Sequence, residues 1–282
     1  MRKYEATYDQ YGEEVTYTEI HTCPKRDFPI KMNWFNPDEA MKTGTFTCGS
    51  SGSGKTVLNF HFADMLMEKG VIVYVLDPSQ AWQKGSSVPN VRRVGYPSKV
   101  TFPNGNSLDG KTLVKNGTIF DISFLTYPQR VDFTETICKW ILDDRKKLAK
   151  PPPTFVFFEE CQLVFYQGSM RSLKRHSNAV ELVTNGRNFK VRYGAITQFA
   201  SMVDKLLLKV TRQRYLGYTS EPNDVEYLED IIGKEMAKEL PILEVGEFLY
   251  SYPRREHKHT QRIKVPMFHR ESPNIKIFRQ NG

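Results

Sequence analysis

Gly49-Ser50-Ser51-Gly52-Ser53-Gly54-Lys55-Thr56 is the stretch whose reading decides the fold. It fits G-x-x-x-x-G-K-[ST], the pattern of a loop that wraps phosphates in backbone N–H groups. The glycines let the chain curl inward. Lys55 would reach the β and γ phosphates of a nucleotide such as ATP, and the Thr56 hydroxyl would take one position on Mg²⁺. A helix starting near Lys55 would turn its positive end toward the anion. The flanks agree. Thr45–Cys48 reads as a short strand. Val57 to Lys69 reads as a helix, with Val57, Leu58, Phe62, Met65 and Leu66 at helical spacing and Gly70 as its stop.

Outward from the loop, apolar runs alternate with helical patterns, as a parallel sheet requires. Val71–Leu76 is continuously apolar and ends at Asp77-Pro78-Ser79-Gln80, where open α/β sheets place ligands. Thr118–Ile122 is a third strand, and Arg130–Leu148 a helix with Ile137, Trp140 and Ile141 inward. After Pro151-Pro152-Pro153 comes the strand Phe155–Phe158, then Glu159 and Glu160. A largely helical stretch follows over Ser169–Asn185, then a strand over Tyr193–Gln198 with a polar end. Met202–Val210 reads as a helix, Arg214–Gly217 as an edge strand, and Glu226–Lys238 as an amphipathic helix with Leu228, Ile231, Ile232 and Met236 inward. A strand ends the core over Val245–Tyr252. Residues 78–117, rich in Gly, Pro, Asn and Ser, give only short strands or loops. The expected fold is α/β with a mostly parallel sheet. Its division is an N-terminal attachment of short strands over 1–44 (Tyr4–Tyr8, Val15–Ile20), a nucleotide-binding core over 45–252, and a basic extension over 253–282.

A chain of 282 residues with 39% hydrophobic and 26% charged residues buries a sizeable core. A formal charge of +8 permits a nucleic-acid partner without requiring one. Cys23, Cys48, Cys138 and Cys161 form no C-x-x-C pair and read as reduced thiols in an intracellular protein. No secretory signal and no apolar run of about 18 residues is visible, so no transmembrane segment is expected.

The two carboxylates after Phe158 carry the chemistry. Glu159 would orient Mg²⁺ through water, and Glu160 would polarise the attacking water. Gln198, at the end of the next strand, can touch the γ-phosphate or that water. Arg187, in the basic segment Asn185–Arg192, can stabilise charge on a neighbouring subunit's nucleotide. Arg192 competes for that role, with Arg212 and Arg214 behind it.

This ordered set resembles the FtsK/HerA superfamily of P-loop motor ATPases, and at this chain length its viral genome-packaging ATPases, archaeal ones included. Gly49–Thr56 is similar to the family's Walker A motif. Phe155–Glu160 is similar to its Walker B strand and catalytic glutamate, with Glu159 where Asp is commoner. Gly186–Gly194 resembles the segment that carries its arginine finger, and Ile196-Thr197-Gln198 its strand ending in glutamine. Leu76-Asp77-Pro78 and Leu243–Leu249 complete the match. The resemblance implies a RecA-like three-layer sandwich, ATP and Mg²⁺ as cofactors, and Glu160, Lys55, Arg187 and Gln198 as catalytic residues. It also implies a homo-oligomeric ring, usually a hexamer, that threads double-stranded DNA. For the packaging branch it implies a capsid or membrane-vertex protein as docking partner, in the host cytoplasm and at the virion. The basic runs Arg171–Arg175, with Lys174 and His176, and Arg254–Lys264, with Arg255, Lys258 and Arg262, are candidate DNA-facing patches. Two other readings stay open: a cellular or plasmid DNA-processing motor, and a nucleotide-gated assembly factor that does not translocate.

Overall fold

The computed structural model describes residues 3–8, 14–20, 35–82, 86, 88, 91–93, 117–167, 177–253 and 258–266. Lys3–Tyr8 (β1) and Glu14–Ile20 (β2) pair antiparallel in a two-stranded sheet of their own. The other nine strands form one sheet. In chain order they are Thr45–Cys48 (β3), Ile72–Asp77 (β4), Val91–Arg93 (β5), Thr118–Asp121 (β6), Thr154–Phe158 (β7), Val191–Thr197 (β8), Gln213–Gly217 (β9), Glu247–Pro253 (β10) and Lys258–Lys264 (β11). In space the order is β11-β10-β9-β3-β8-β7-β4-β6-β5. The pairs from β9 through β5 are parallel; β9–β10 and β10–β11 are antiparallel.

Side-chain alternation divides each central strand between two helical layers. From β7, Phe155 and Phe157 go to one face, and Val156 and Phe158 to the other. The first face is covered by Pro37–Thr43 (α1) and Lys55–Glu68 (α2), which contribute Ala40, Leu58, Phe62 and Leu66. The second is covered by Tyr127–Lys146 (α3), Ser177–Asn185 (α4), Lys205–Val210 (α5), Pro222–Ile232 (α6) and Lys234–Ala237 (α7). Ile137, Ile141, Leu182, Leu207, Leu228 and Ala237 fill that layer. The result is the expected three-layer α/β sandwich around a mostly parallel sheet. β7 is buried throughout, and apolar from Phe155 to Phe158, because both its faces are covered.

Four details differ from the sequence reading. Arg214–Gly217, expected at an edge, lies in β9 between β3 and β10, with Tyr215 and Leu216 fully buried. The Arg214 guanidinium donates to the carbonyls of Thr211 and Leu208. The true edge on that side is β11, inside the stretch read as a basic extension. Its alternating polar residues hid it, because among its described side chains only Ile263 is buried. The stretch read as an attachment of short strands also holds a helix, and Pro37 opens it. This proline takes the first turn of α1, and the Asn36 side chain caps that helix by accepting from the Glu39 N–H at 3.2 Å. Phe35 stacks on Phe62 of α2 with ring centroids 4.1 Å apart. The helix expected over Glu226–Lys238 breaks at Gly233, whose φ of 87° lies in the left-handed region, so it becomes α6 and α7. Of the helical stretch expected over Ser169–Asn185, α4 supplies Ser177–Asn185; residues 169–176 lie outside the described ones.

Candidate active site

Three adjacent strands, β3, β8 and β7, end at the same edge of the sheet. Cys48 pairs with Thr197, and Phe158 with Ala195. The phosphate-binding loop follows Cys48, Gln198 follows Thr197, and Glu159 and Glu160 follow Phe158. Parallel pairing therefore gathers at one edge groups that lie about 150 residues apart in the chain.

Gly49, Gly52 and Gly54 all have positive φ, at 146°, 80° and 96°. At Gly49 a Cβ would come within 2.9 Å of Ser53 Oγ, so only glycine closes this turn. The loop is pinned from outside. The Ser50 N–H donates to the Tyr218 carbonyl at 2.7 Å, and the Gly246 N–H donates to the Ser53 carbonyl at 3.0 Å. Gly246 belongs to the turn before β10, so the sheet's antiparallel side supports the loop. Ser51 and Gly52 at its tip are exposed.

Inside the loop the Lys55 ammonium donates to the carbonyls of Gly49, at 2.7 Å, and Ser50, at 3.0 Å. Burial lowers its pKa below the ordinary lysine value, and Glu159 and Glu160 oppose that shift. Ser53 Oγ is buried with no hydrogen-bond partner. Thr56 is half-buried in the first turn of α2, where backbone N–H groups have no intrahelical acceptor. A positive-φ glycine cradle, a buried ammonium bound only to loop carbonyls and an unpaired buried hydroxyl together fit a polyphosphate.

Glu159 is buried, and its Oε2 accepts from Trp82 Nε1 at 2.7 Å. Burial raises its pKa to about 7. The Trp82 hydrogen bond and Lys55 act against that, and Asp77 and Glu160 add to it. Trp82 is itself fully buried between Phe60 and Phe157. Asp77, at the end of β4, accepts from the N–H groups of Ser79 and Trp82 and so fixes the turn that delivers the indole. Among the described residues no cluster of three or more His, Cys, Asp or Glu side chains could cage a metal. One carboxylate and one hydroxyl beside a phosphate loop suit Mg²⁺, which keeps most of its shell as water and phosphate oxygens.

Glu160 takes a left-handed backbone conformation, φ 53° and ψ 52°, which turns the chain sharply after Glu159. That turn lets two successive carboxylates serve one site. Gln198 Nε2 donates to Glu160 Oε1 at 2.6 Å, so these two predicted residues are in direct contact. Gln162 Nε2 donates to the other oxygen, Oε2, also at 2.6 Å.

The arginines divide. Arg187 is exposed in the turn Gly186–Phe189, before β8 begins. The phosphate loop lies beyond the opposite end of that strand, about 20 Å away for a strand of this length. Arg187 is thus not gathered with its own subunit's site. Arg192 and Arg214 do not stand free as finger arginines. The Arg192 guanidinium donates to the carbonyls of Lys42 and Val183, and Arg214 is bound as described above. Arg212 is exposed. Of the basic runs, Arg171–Arg175 and Arg255 lie outside the described residues. On β11, Arg262 pairs with Glu239 and Glu247, and Lys264 with Glu244.

Sequence reasoning missed Trp82, Gln162 and Thr197. Trp82 lies in a polar stretch where a lone aromatic residue was the only signal. The role of Gln162 depends on the backbone reversal at Glu160, which the sequence does not mark.

No family model matches the chain, and no characterised protein matches its sequence. Solved structures do match. The genome packaging NTPase B204 from Sulfolobus turreted icosahedral virus 2, in complex with ATPγS, superposes with a TM-score of 0.58 at 17% identity, over 83% of this chain and 100% of that one. The plasmid coupling protein TrwB, in complex with a non-hydrolysable GTP analogue, gives 0.57 at 11% identity, over 84% and 88%. The pCW3 conjugation coupling protein TcpA gives 0.50 at 16% identity, over 80% and 60%. The fold is that of the FtsK/HerA-type P-loop ATPases. Among the described residues of this chain, no helix is long and apolar enough to cross a membrane.

Proposed function

We propose that the chain is an ATP-hydrolysing motor that translocates double-stranded DNA, and that it packages a viral genome. The observation that carries this reading is the joining of Glu160 and Gln198 by a 2.6 Å hydrogen bond beside the Gly49–Thr56 loop. Lys55 exchanges the carbonyls of Gly49 and Ser50 for phosphate oxygens. Gly49, Ser50, Ser51, Gly52, Ser53 and Gly54 line the phosphates with backbone, while Thr56 and Glu159 would hold Mg²⁺. Mg²⁺ held there would supply positive charge to offset the charge that develops on the phosphates. Glu160 accepts the proton of the attacking water, whose oxygen bonds to the γ-phosphorus as the bond to the bridging oxygen breaks; ADP and phosphate leave. Gln198 holds Glu160 and senses the γ-phosphate. Arg187 acts in a neighbour's site of a homo-oligomeric ring, a hexamer by resemblance; its exposure in the turn before β8 supports this reading.

Packaging is favoured by the B204 likeness, which takes in the whole of that protein. The likeness to plasmid coupling proteins favours a second reading, a plasmid or cellular DNA-processing motor. The test is ATP turnover with and without linear double-stranded DNA, beside mass measurement in ATP. Stimulation by DNA in a ring-sized species is the expected result. ATP binding with a rate indifferent to DNA would replace the motor with an assembly factor. A capsid-protein reading frame beside this gene would favour packaging over plasmid processing.

A further inference from the structure

The Glu160 carboxylate is held on both oxygens by amides, and the two amides are not equivalent. Gln198 stands at the end of β8. Gln162 stands in the 3₁₀ turn Cys161–Leu163 and reaches back to Oε2. A carboxamide can be turned end for end, and only one orientation donates to a carboxylate. Thr197 fixes that orientation for Gln162. Its Oγ1 accepts from the Phe199 N–H at 3.0 Å and lies 2.8 Å from Gln162 Oε1. A hydroxyl has one proton to give. The competing acceptor, the Phe199 carbonyl, is farther away at 3.2 Å, so the proton goes to Gln162 Oε1 and turns Nε2 toward Glu160. The chain of bonds runs from the Phe199 N–H through Thr197 and Gln162 to Glu160.

We propose that Gln162, oriented by Thr197, is a positioning residue that aims the Glu160 carboxylate at the attacking water. This rests on the reading of Glu160 as the water-activating carboxylate. Each Glu160 oxygen keeps a lone pair after accepting its amide, so the two bonds fix the group without consuming it. The turn itself does not need the Gln162 side chain. Backbone bonds from Leu163 to Glu160, Val164 to Cys161 and Phe165 to Cys161 close it, at 2.9, 3.1 and 2.8 Å. Both polar atoms of the Gln162 amide instead serve the route between Thr197 and Glu160. The left-handed backbone at Glu160 is sparsely populated for a residue other than glycine and persists only where its surroundings fix it, and the two amide bonds are part of that fixing.

The test uses the full chain with Gln162→Ala, Thr197→Val, their double variant, Thr197→Ser and Glu160→Gln. Dissociation constants are read with a fluorescent ATP analogue, folding by thermal unfolding, and chemistry by single-turnover hydrolysis at saturating Mg²⁺. Gln162→Ala and Thr197→Val should each slow the single turnover about tenfold or more, since a slightly misplaced reacting group can cost about a hundredfold. Nucleotide affinity should stay within about twofold, a change of only a few tenths of a kcal/mol. The double variant should be no slower than the slower single, because both lie on one route. Thr197→Ser, which keeps the hydroxyl, should regain most of the rate lost in Thr197→Val. Full speed in Gln162→Ala, a parallel loss of nucleotide affinity, or multiplied losses in the double variant would overturn the proposal. If Glu160→Gln itself turned over at the unaltered rate, the reading of Glu160 would fall and the positioning role with it. A slow Glu160→Gln beside a fast Gln162→Ala would remove the positioning role alone.

Discussion

Lys55 and Glu159 are two buried charges of opposite sign in one small site, and each answers to burial first. Lys55 satisfies its ammonium on the carbonyls of Gly49 and Ser50, so its removal deletes the one cation inside the loop while the turn stays pinned by Tyr218 and Gly246. Lys55→Ala should therefore abolish tight ATP binding, seen by calorimetry, with little change in the circular dichroism spectrum. Unchanged turnover in that variant would end the nucleotide reading. For Glu159 burial raises the folded pKa from the ordinary carboxyl value of 4.5 to about 7, so the folded state binds the proton more tightly than the unfolded chain. The sign follows from linkage. The side chain costs nothing below about pH 4.5, and its charge weakens the metal-free fold as the pH rises toward 7. Urea midpoints of wild type and Glu159→Gln, measured from pH 5 to 8 without Mg²⁺, should diverge in favour of the neutral variant as the pH climbs. Equal slopes would show that the carboxyl is solvated. The division of labour between the two carboxylates has its own check. Glu160→Gln should bind ATP and hydrolyse it very slowly, whereas Glu159→Gln should raise the Mg²⁺ requirement; a Mg²⁺ titration giving the reverse pattern would exchange their roles.

Helix docking decides how elements seen in the sequence become a sheet with covered faces. Arg192 stands on β8 and donates to carbonyls near the C-terminal ends of α1 and α4, where helix dipoles favour a cation. Arg192→Met should lower stability by about 1–3 kcal/mol, since it leaves buried carbonyls unpaired, and should leave Arg187-dependent chemistry in place. A folded Arg192→Met protein that binds ATP but no longer turns it over would reinstate Arg192 as the finger. Phe35 fixes the approach to α1 by stacking on Phe62 of α2. Phe35→Ala should cost about 3–5 kcal/mol in urea unfolding, the range for removing a buried aromatic side chain. Strand identity was legible where both faces are buried. Phe155–Phe158 stands out because it is buried on both faces and every residue is apolar, and Thr45–Cys48 because the phosphate loop follows it. β11 was not legible, because an edge strand with one wet face reads as a polar tail. The break at Gly233 escaped for a related reason. An isolated glycine inside a helical pattern is tolerated often enough that the pattern alone does not forbid continuity.

At the scale of the whole molecule, the site and the exposed Arg187 lie at opposite ends of β8, so under the proposed function Arg187 would act on another subunit's nucleotide. If Arg187 acts in trans, Arg187→Ala and Glu160→Gln should each be nearly inactive, and mixing them should regain activity in proportion to the mixing ratio. An arginine acting within its own subunit would give no such rescue. Sedimentation must find both variants assembled, and full activity of Arg187→Ala alone would remove it from the mechanism and leave the exposed Arg212 as the next candidate. DNA grip in such a ring is expected to be mostly electrostatic, so DNA-stimulated turnover should fall steeply with salt while basal turnover changes little.

By itself the sequence determined the phosphate loop, the apolar strands and the carboxylates that follow one of them, because these depend on local residue types and on side-chain periodicity. It determined the α/β class for the same reason. Only the tertiary structure decided that β8 lies between β3 and β7, and hence that Gln198 touches Glu160, and that Arg192 and Arg214 turn to interior carbonyls. Strand order and side-chain pairing arise from contacts between residues far apart in the chain. No local pattern encodes which buried arginine meets a carbonyl, or which glutamine meets a carboxylate.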